Sequence, residues 1–262
     1  TILSNTEFSN SWSEVTPPSA DWSSEPEDVA VLLHTSGTSG DPKIAVLRQR
    51  HLVSYVLGSC EFMSAEEDEA SLVSVPPYHI AGISAMLTGV YQGRRIVQLP
   101  AFEENEWVRL ARKQEITHAM VVPTMLDRIL DVMEKTGETL PALRALSYGG
   151  GRMPEPTIAR ALAMRDVPAA LAWVKTLPIE FTQWLATTNI LFIWGSRDLP
   201  AAARYVTELP PGGGLDYIAG QFANLMARQP KEGIAWAEAL PGESARDAAF
   251  VTIASIWAQQ SP

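Results

Sequence analysis

Near the carboxyl terminus, three aromatic positions recur with one period, and that period limits the folds open to this part of the chain. Trp173, Tyr205 and Trp236 follow one another at steps of 32 and 31 residues. Leu177-Pro178, Leu209-Pro210 and Leu240-Pro241 repeat the same steps, as do Trp194, Met226 and Trp257. Three registers with one period predict an all-α helical-repeat part over 166–262, made of about three units of 31–32 residues. Each unit reads as a helix, a Leu-Pro turn and a second helix ending near Trp194, Met226 or Trp257. Such units bury their apolar stripes on one another, so the aromatic positions are expected to be packing rather than a cofactor site. Ala169-Ala170 and Ala201-Ala202-Ala203 supply small faces on which helices can approach closely.

Ahead of the repeat, residues 28–165 follow a different pattern. Short apolar runs at Val29–His34, Lys43–Leu47, Ser71–Val75, Arg95–Leu99, His118–Val122 and Leu143–Tyr148 read as strands. Helical spacing appears over Arg50–Met63 (Leu52, Tyr55, Val56, Cys60), His79–Tyr91, Glu104–Lys113 and Thr124–Lys135. Strand–helix alternation of this kind predicts an α/β layer with a mostly parallel sheet.

Between the first two strands lies Thr35-Ser36-Gly37-Thr38-Ser39-Gly40-Asp41-Pro42-Lys43, at the tip of an expected hairpin. A loop that grips phosphate needs converging backbone N–H groups, hence glycine where φ is positive or contact is close. Gly37 and Gly40 meet that need. Thr35, Ser36, Thr38 and Ser39 add hydroxyl donors, and Lys43 adds a full positive charge. The spacing is not that of a Walker loop, because Asp41-Pro42 separates Gly40 from the lysine. Nor is it the dinucleotide-binding pattern, which opens a helix after the first strand.

The run from Leu33 to Lys43 resembles the signature loop of the adenylate-forming superfamily, which includes acyl-CoA synthetases, peptide-synthetase adenylation domains and luciferases. Three further segments occur in that family's order. Val75-Pro76-Pro77-Tyr78-His79-Ile80-Ala81-Gly82 resembles its proline-aromatic-His-x-x-Gly segment. Val121-Val122-Pro123-Thr124-Met125-Leu126 resembles its Val-Pro-(Ser/Thr) opening of a helix. Leu146-Ser147-Tyr148-Gly149-Gly150-Gly151-Arg152-Met153-Pro154 resembles its second glycine-rich segment. The resemblance covers about residues 27–165 and implies a partial adenylate-forming fold. It implies that Thr35 through Gly40 and Lys43 hold the β- and γ-phosphates of ATP, with Mg²⁺ as companion ion and CoA as a possible acceptor. It places His79, Gly149 and Gly150 beside the acyl group, and Gly151 and Arg152 near adenine. The family's aromatic-Gly-x-Thr-Glu segment, its ribose-binding Thr-Gly-Asp and its late catalytic lysine have no counterpart here, so no residue is assigned a catalytic role. Thr6-Glu7 and Thr207-Glu208 have the wrong neighbours.

Composition bounds the remainder. A formal net charge of -10 argues against nucleic acid, whose phosphates need a basic face. Cys60 is the single cysteine, which excludes an internal disulfide and any multi-cysteine metal site and fits a cytoplasmic location. No run approaches the ~18 apolar residues of a membrane span. Residues 1–27 form a polar leader without an apolar signal core, as expected of a chain that begins inside a longer parent or after processing. Two functional expectations stand together. One is the ATP-binding part of a carboxylic acid–CoA ligase, fused to a helical repeat and incomplete for catalysis by itself. The other is a scaffold, with the α/β half a relic and a protein partner on the repeat.

Overall fold

The structure, a computed structural model, describes residues 25–35, 43–76 and 78–260, apart from the side chains of His34, Thr35, Lys43 and Gln260. The polar leader up to residue 24, Ser36 through Pro42, and Pro77 lie outside the described residues. The chain divides into two compact units, Thr1–Glu61 and Phe62–Pro262.

In the first unit, β1 (Val29–Thr35) and β2 (Lys43–Arg48) form an antiparallel hairpin whose register runs from Val29 opposite Arg48 to Thr35 opposite Lys43. Helix α1 (Gln49–Ser59) follows directly. Its start is pinned by the chain ahead of β1: the Gln49 N–H donates to Asp28 O at 2.9 Å and Arg50 N–H to Pro26 O at 3.0 Å. Glu27 pairs with Arg50 at 2.9 Å on the same corner. The helix expected to reach Met63 stops four residues earlier. Ser59 Oγ donates to Tyr55 O at 2.6 Å, and Cys60 Sγ donates to Val56 O at 3.4 Å. These side-chain donors take up the last-turn carbonyls, while Cys60 itself adopts extended φ and ψ of -156° and 162°.

The second unit opens with a four-stranded, all-parallel sheet of order β4-β3-β5-β6, built from β3 (Ala70–Val73), β4 (Arg95–Gln98), β5 (His118–Val121) and β6 (Ala145–Tyr148). Central strand β3 is buried along its whole length, as a strand covered on both faces requires. The crossovers are α2 (Ile80–Gln92), α3 (Glu104–Lys113) and α4 (Pro123–Thr136). Right-handed crossovers place α2 on one face of the sheet and α3 with α4 on the other. The core under α3 and α4 gathers Leu72, Val121, Trp107, Ile116, Ile129 and Leu130. Glu103 caps α3, its carboxylate accepting from the Asn105 and Glu106 N–H groups at 3.1 and 2.6 Å.

At the amino ends of the strands, Thr117 continues the ladder with its side chain. Its Oγ1 accepts from Ala70 N–H at 2.9 Å and donates to Ala70 O at 3.0 Å. Beside it, His118 is held below the ordinary histidine range, by burial first and then by the Arg94 charge, with Glu69 opposing at 4.0 Å. The native state therefore prefers the neutral imidazole, while the unfolded chain titrates near 6.5. Stability from this group is complete above that pH and declines as pH falls below it, with a proton difference of at most one. His118→Gln is expected to flatten the pH dependence of urea unfolding between about pH 7 and 5; an unchanged slope would show that His118 contributes none of it.

Beyond β6 every element is helical: α5 (Glu155–Arg165), α6 (Val167–Val174), α7 (Glu180–Arg197), α8 (Leu199–Thr207), α9 (Gly213–Met226), α10 (Pro230–Ala239) and α11 (Glu243–Gln260). Asp166 and Asp198 cap α6 and α8, accepting from Ala169 and Ala201 N–H at 2.9 and 3.0 Å. In each case a proline follows within the first helical turn, where its missing N–H leaves no bond unmade. Leu177-Pro178, Leu209-Pro210 and Leu240-Pro241 each lie between a shorter helix and a longer one. Indole groups tie these pairs together: Trp236 Nε1–H donates to Ala203 O at 3.1 Å and Trp257 Nε1–H to Ala227 O at 2.9 Å. The sequence pattern changes at Arg165, but packing continues through it. Ala159 and Ala163 of α5 share a core with Ala170, Ala186 and Ile190 of α6 and α7.

Candidate functional site at the carboxyl edge of the sheet

From β3 the chain moves outward to β4, then returns past β3 to β5, so the strand order reverses between β3 and β5. In open parallel sheets the crevice outside the carboxyl ends of the strands at such a reversal is where ligands bind. Three sequence segments meet there. The Pro76–Gly82 segment leaves β3, Val122-Pro123-Thr124 leaves β5, and Tyr148 through Arg152 leaves β6.

The first segment is held by a tight backbone turn. His79 N–H donates to Pro76 O at 3.0 Å, and His79 O accepts from Gly82 N–H at 3.0 Å. His79 is thus the residue that opens α2, with extended φ and ψ of -100° and 141°. Its imidazole is exposed and stands 5.5 Å from the Tyr78 ring. Gly82 explains the motif's spacing. A Cβ there would meet Pro76 O at 2.5 Å and Val75 O at 2.7 Å, so the helix can fold back onto the strand exit only with glycine at this position.

The second glycine-rich segment lies close over β5 and α4. Gly149 N–H donates to Val121 O at 3.2 Å, carrying the parallel ladder one residue past β6. Gly150 then turns with φ of +78°, a conformation that side chains rarely adopt, and a Cβ on it would meet Val122 Cγ1 at 3.2 Å. Gly151 passes Pro123, and Arg152 pairs with Glu155 at the start of α5. The Glu155 carboxyl is held below the usual carboxylate range by its own backbone N–H first and by Arg152 second. What results is a stretch of bare backbone beside the start of α4, a surface on which a flat group can rest closely.

His79, Gly149, Gly150, Gly151 and Arg152, separated by about 70 residues of sequence, therefore reach one sheet edge; the β3 and β6 ends lie about 10 Å apart there, given the usual strand spacing. Thr35 and Lys43 are the last register pair of the hairpin in the first unit. Ser36, Gly37, Thr38, Ser39 and Gly40 lie outside the described residues. Sequence reasoning gave no role to Thr124 or Tyr148, both exposed at this edge. The signal available for them was position, Tyr148 at the carboxyl end of β6 and Thr124 in the first turn of the helix after β5. Among the described residues no group of three His, Cys, Asp or Glu side chains is placed to hold a metal ion. Within the same limits, no helix is long and apolar enough to cross a membrane.

Comparison with known proteins defines the class. A family model described as AMP-binding enzyme matches residues 2–171, and the chain belongs to that family. The 2-succinylbenzoate–CoA ligase of Bacillus licheniformis is 32% identical over 192 residues, 71% of this chain and 39% of the ligase. Its counterpart from Bacillus mycoides is 30% identical over 134 residues, 50% of this chain and 27% of the ligase. The chain thus spans 39% and 27% of the length of these two relatives. Among solved structures, the inhibitor-bound N-terminal domain of FACL13 from Mycobacterium tuberculosis superposes with a TM-score of 0.54 at 20% identity, covering 60% of this chain and 40% of that one, which relates the folds.

Proposed function

We propose that this chain is the ATP-binding part of a carboxylic acid–CoA ligase, joined to a helical array that presents a surface to a protein partner. The observation that carries the reading is the meeting of the His79, Val122-Pro123-Thr124 and Gly149–Arg152 segments at the carboxyl edge of the sheet, at its point of strand reversal. The relatives named as 2-succinylbenzoate–CoA ligases support an acid and CoA as co-substrates.

On this reading the acid's carboxylate attacks the α-phosphate of ATP, takes up the adenylyl group as an acyl-adenylate, and pyrophosphate leaves. The chain's own residues bind and orient. Thr35 through Gly40 and Lys43 hold the leaving phosphates, where fixed donors stabilise developing charge better than water does. The Gly149–Gly151 backbone fits a nucleotide, since without side chains it leaves close, unhindered access beside the start of α4. His79 borders the acyl side, and Arg152 the adenine side once it releases Glu155. Mg²⁺ fits as an ion carried mainly by phosphate oxygens, because that ion keeps several waters and takes few carboxylates.

ATP–pyrophosphate exchange with a panel of aryl, fatty and amino acids, 2-succinylbenzoate included, tests the reading. Acid-dependent exchange that drops about 100-fold in Lys43→Ala is the expected result for a working site. ATP binding without exchange would make the chain a nucleotide-holding part that needs a complement. A second reading, a scaffold without turnover, draws on the helical pairs beyond residue 171, which lie outside the family match and are tied by the Trp236 and Trp257 indoles. Absence of both exchange and ATP binding would leave only that reading.

A further inference from the structure

The second unit contains a cavity that the nucleotide reading does not use. It has a volume of about 570 Å³ and runs between α4, α5 and β6. Ile129, Leu130 and Met133 of α4, Leu146 of β6, and Ile158 and Leu162 of α5 form its apolar walls. The residues that line it include Arg144, just ahead of β6, and Tyr148 at its end. Its volume lies within the ~300–1,000 Å³ of small-molecule sites.

Basic side chains stand at the amino end of β6, the end opposite Gly149–Arg152. Arg144 and Arg165 both line the cavity. Arg144 pairs with Asp68 and, at 3.8 Å, with Glu69. Glu69 is also taken by Arg94 at 2.8 Å. Arg165 donates to Arg144 O at 3.4 Å and has no carboxylate partner among the described residues. Arg197 adds a further cation, donating to Met164 O at 3.2 Å, one residue from Arg165. Asp166 offsets part of this charge, although its carboxylate accepts from Ala169 N–H as the α6 cap. One guanidinium at the mouth therefore keeps most of its donors available.

From this pairing of an apolar bore with a basic mouth, we infer that the cavity binds a single-chain amphiphile with an anionic head, an alkyl carboxylate or alkyl phosphate. The alkyl chain lies along β6 between α4 and α5, and the head meets Arg165. A guanidinium matches either head, because its fork of donors pairs with two oxygens at once. No nucleotide is required, so this site stands or falls separately from the ATP reading.

Calorimetric titration of the full chain, without ATP and below micellar concentration, tests it with decanoate, decyl phosphate, decanol and decyltrimethylammonium. Both anions are expected to bind about tenfold more tightly than decanol, and the cation to bind more weakly still. The better of the two anions identifies the head. Affinity should rise roughly fourfold for each methylene added between octanoate and dodecanoate. Arg165→Ala should lower decanoate affinity to that of decanol while leaving decanol unchanged. Ala161→Trp, which fills the bore from α5, should abolish binding of all of them. Hydrogen exchange in β6 and α5 of the unaltered chain should slow with decanoate, which locates the ligand even if the tryptophan variant folds poorly. Equal affinity for every head, no effect of Arg165→Ala, protection elsewhere in the chain, or no binding at all would each overturn the proposal.

Discussion

Gly82→Ala is expected to destabilise the protein by about 2–4 kcal/mol, a large loss for one methyl group. The added Cβ would stand 2.5 Å from Pro76 O and 2.7 Å from Val75 O, and both obstacles are backbone. A flexible side chain could swing aside, but these carbonyls are fixed by the exit of β3 and by the His79 N–H bond to Pro76 O at 3.0 Å. Relief requires α2 to lift from the strand, and His79 moves with it. Urea unfolding measures the loss. Gly58→Ala serves as the opposing control, since a Cβ there meets nothing within 4 Å in α1, and removing a helical glycine is worth about 0.5–1 kcal/mol in stability. Equal responses at the two positions would contradict the close approach assigned to Gly82.

Trp107→Ala carries the other large expected effect, about 3–5 kcal/mol. The Trp107 side chain is 1% exposed and sits beneath the sheet among the residues of α3 and α4. Its indole N–H donates to Ser74 Oγ at 3.2 Å, and Ser74 is itself 2% exposed. Truncation leaves that hydroxyl without its donor and enlarges a cavity already present, so the surroundings have little means of closing in. Trp107→Phe keeps most of the packing and removes only the hydrogen bond, and should therefore be destabilised by about 1–2 kcal/mol. Thermal unfolding of the two variants separates the packing contribution from the polar one. Similar losses in both would mean that the hydrogen bond, not the ring, dominates.

The α/β grammar was legible because each parallel strand is a short apolar run and each crossover helix carries a broad apolar stripe. Val121 and Ala70 sit in the core that such patterns predict. Strand ends were less legible. The strand expected over Leu143–Tyr148 begins late: Arg144 and Ala145 N–H both converge on Thr117 O, at 2.8 and 3.0 Å, and the paired strand starts only at Ala145. The end of α1 was missed for a similar reason. Its hydrophobic spacing continues, while Ser59 and Cys60 satisfy the last carbonyls locally.

Within the candidate site, sequence spacing named the glycines but not the reason each is needed. Gly82 answers to the Pro76 and Val75 carbonyls at the exit of β3, and Gly150 to a left-handed turn against Val122. Such demands arise from tertiary neighbours, which a linear pattern does not contain. The Arg165 cavity had no sequence signal at all. Its walls come from α4, β6 and α5, and each wall residue reads individually as ordinary core.

The measurement closest to the central claim is calorimetric titration of ATP, with Mg²⁺ present, into the full chain and into Lys43→Ala. A single saturable site whose affinity falls about 10- to 100-fold on loss of the lysine charge is the predicted result. No saturable binding, or equal affinity in the two proteins, would contradict the assignment of the Thr35–Lys43 hairpin as the nucleotide-phosphate site.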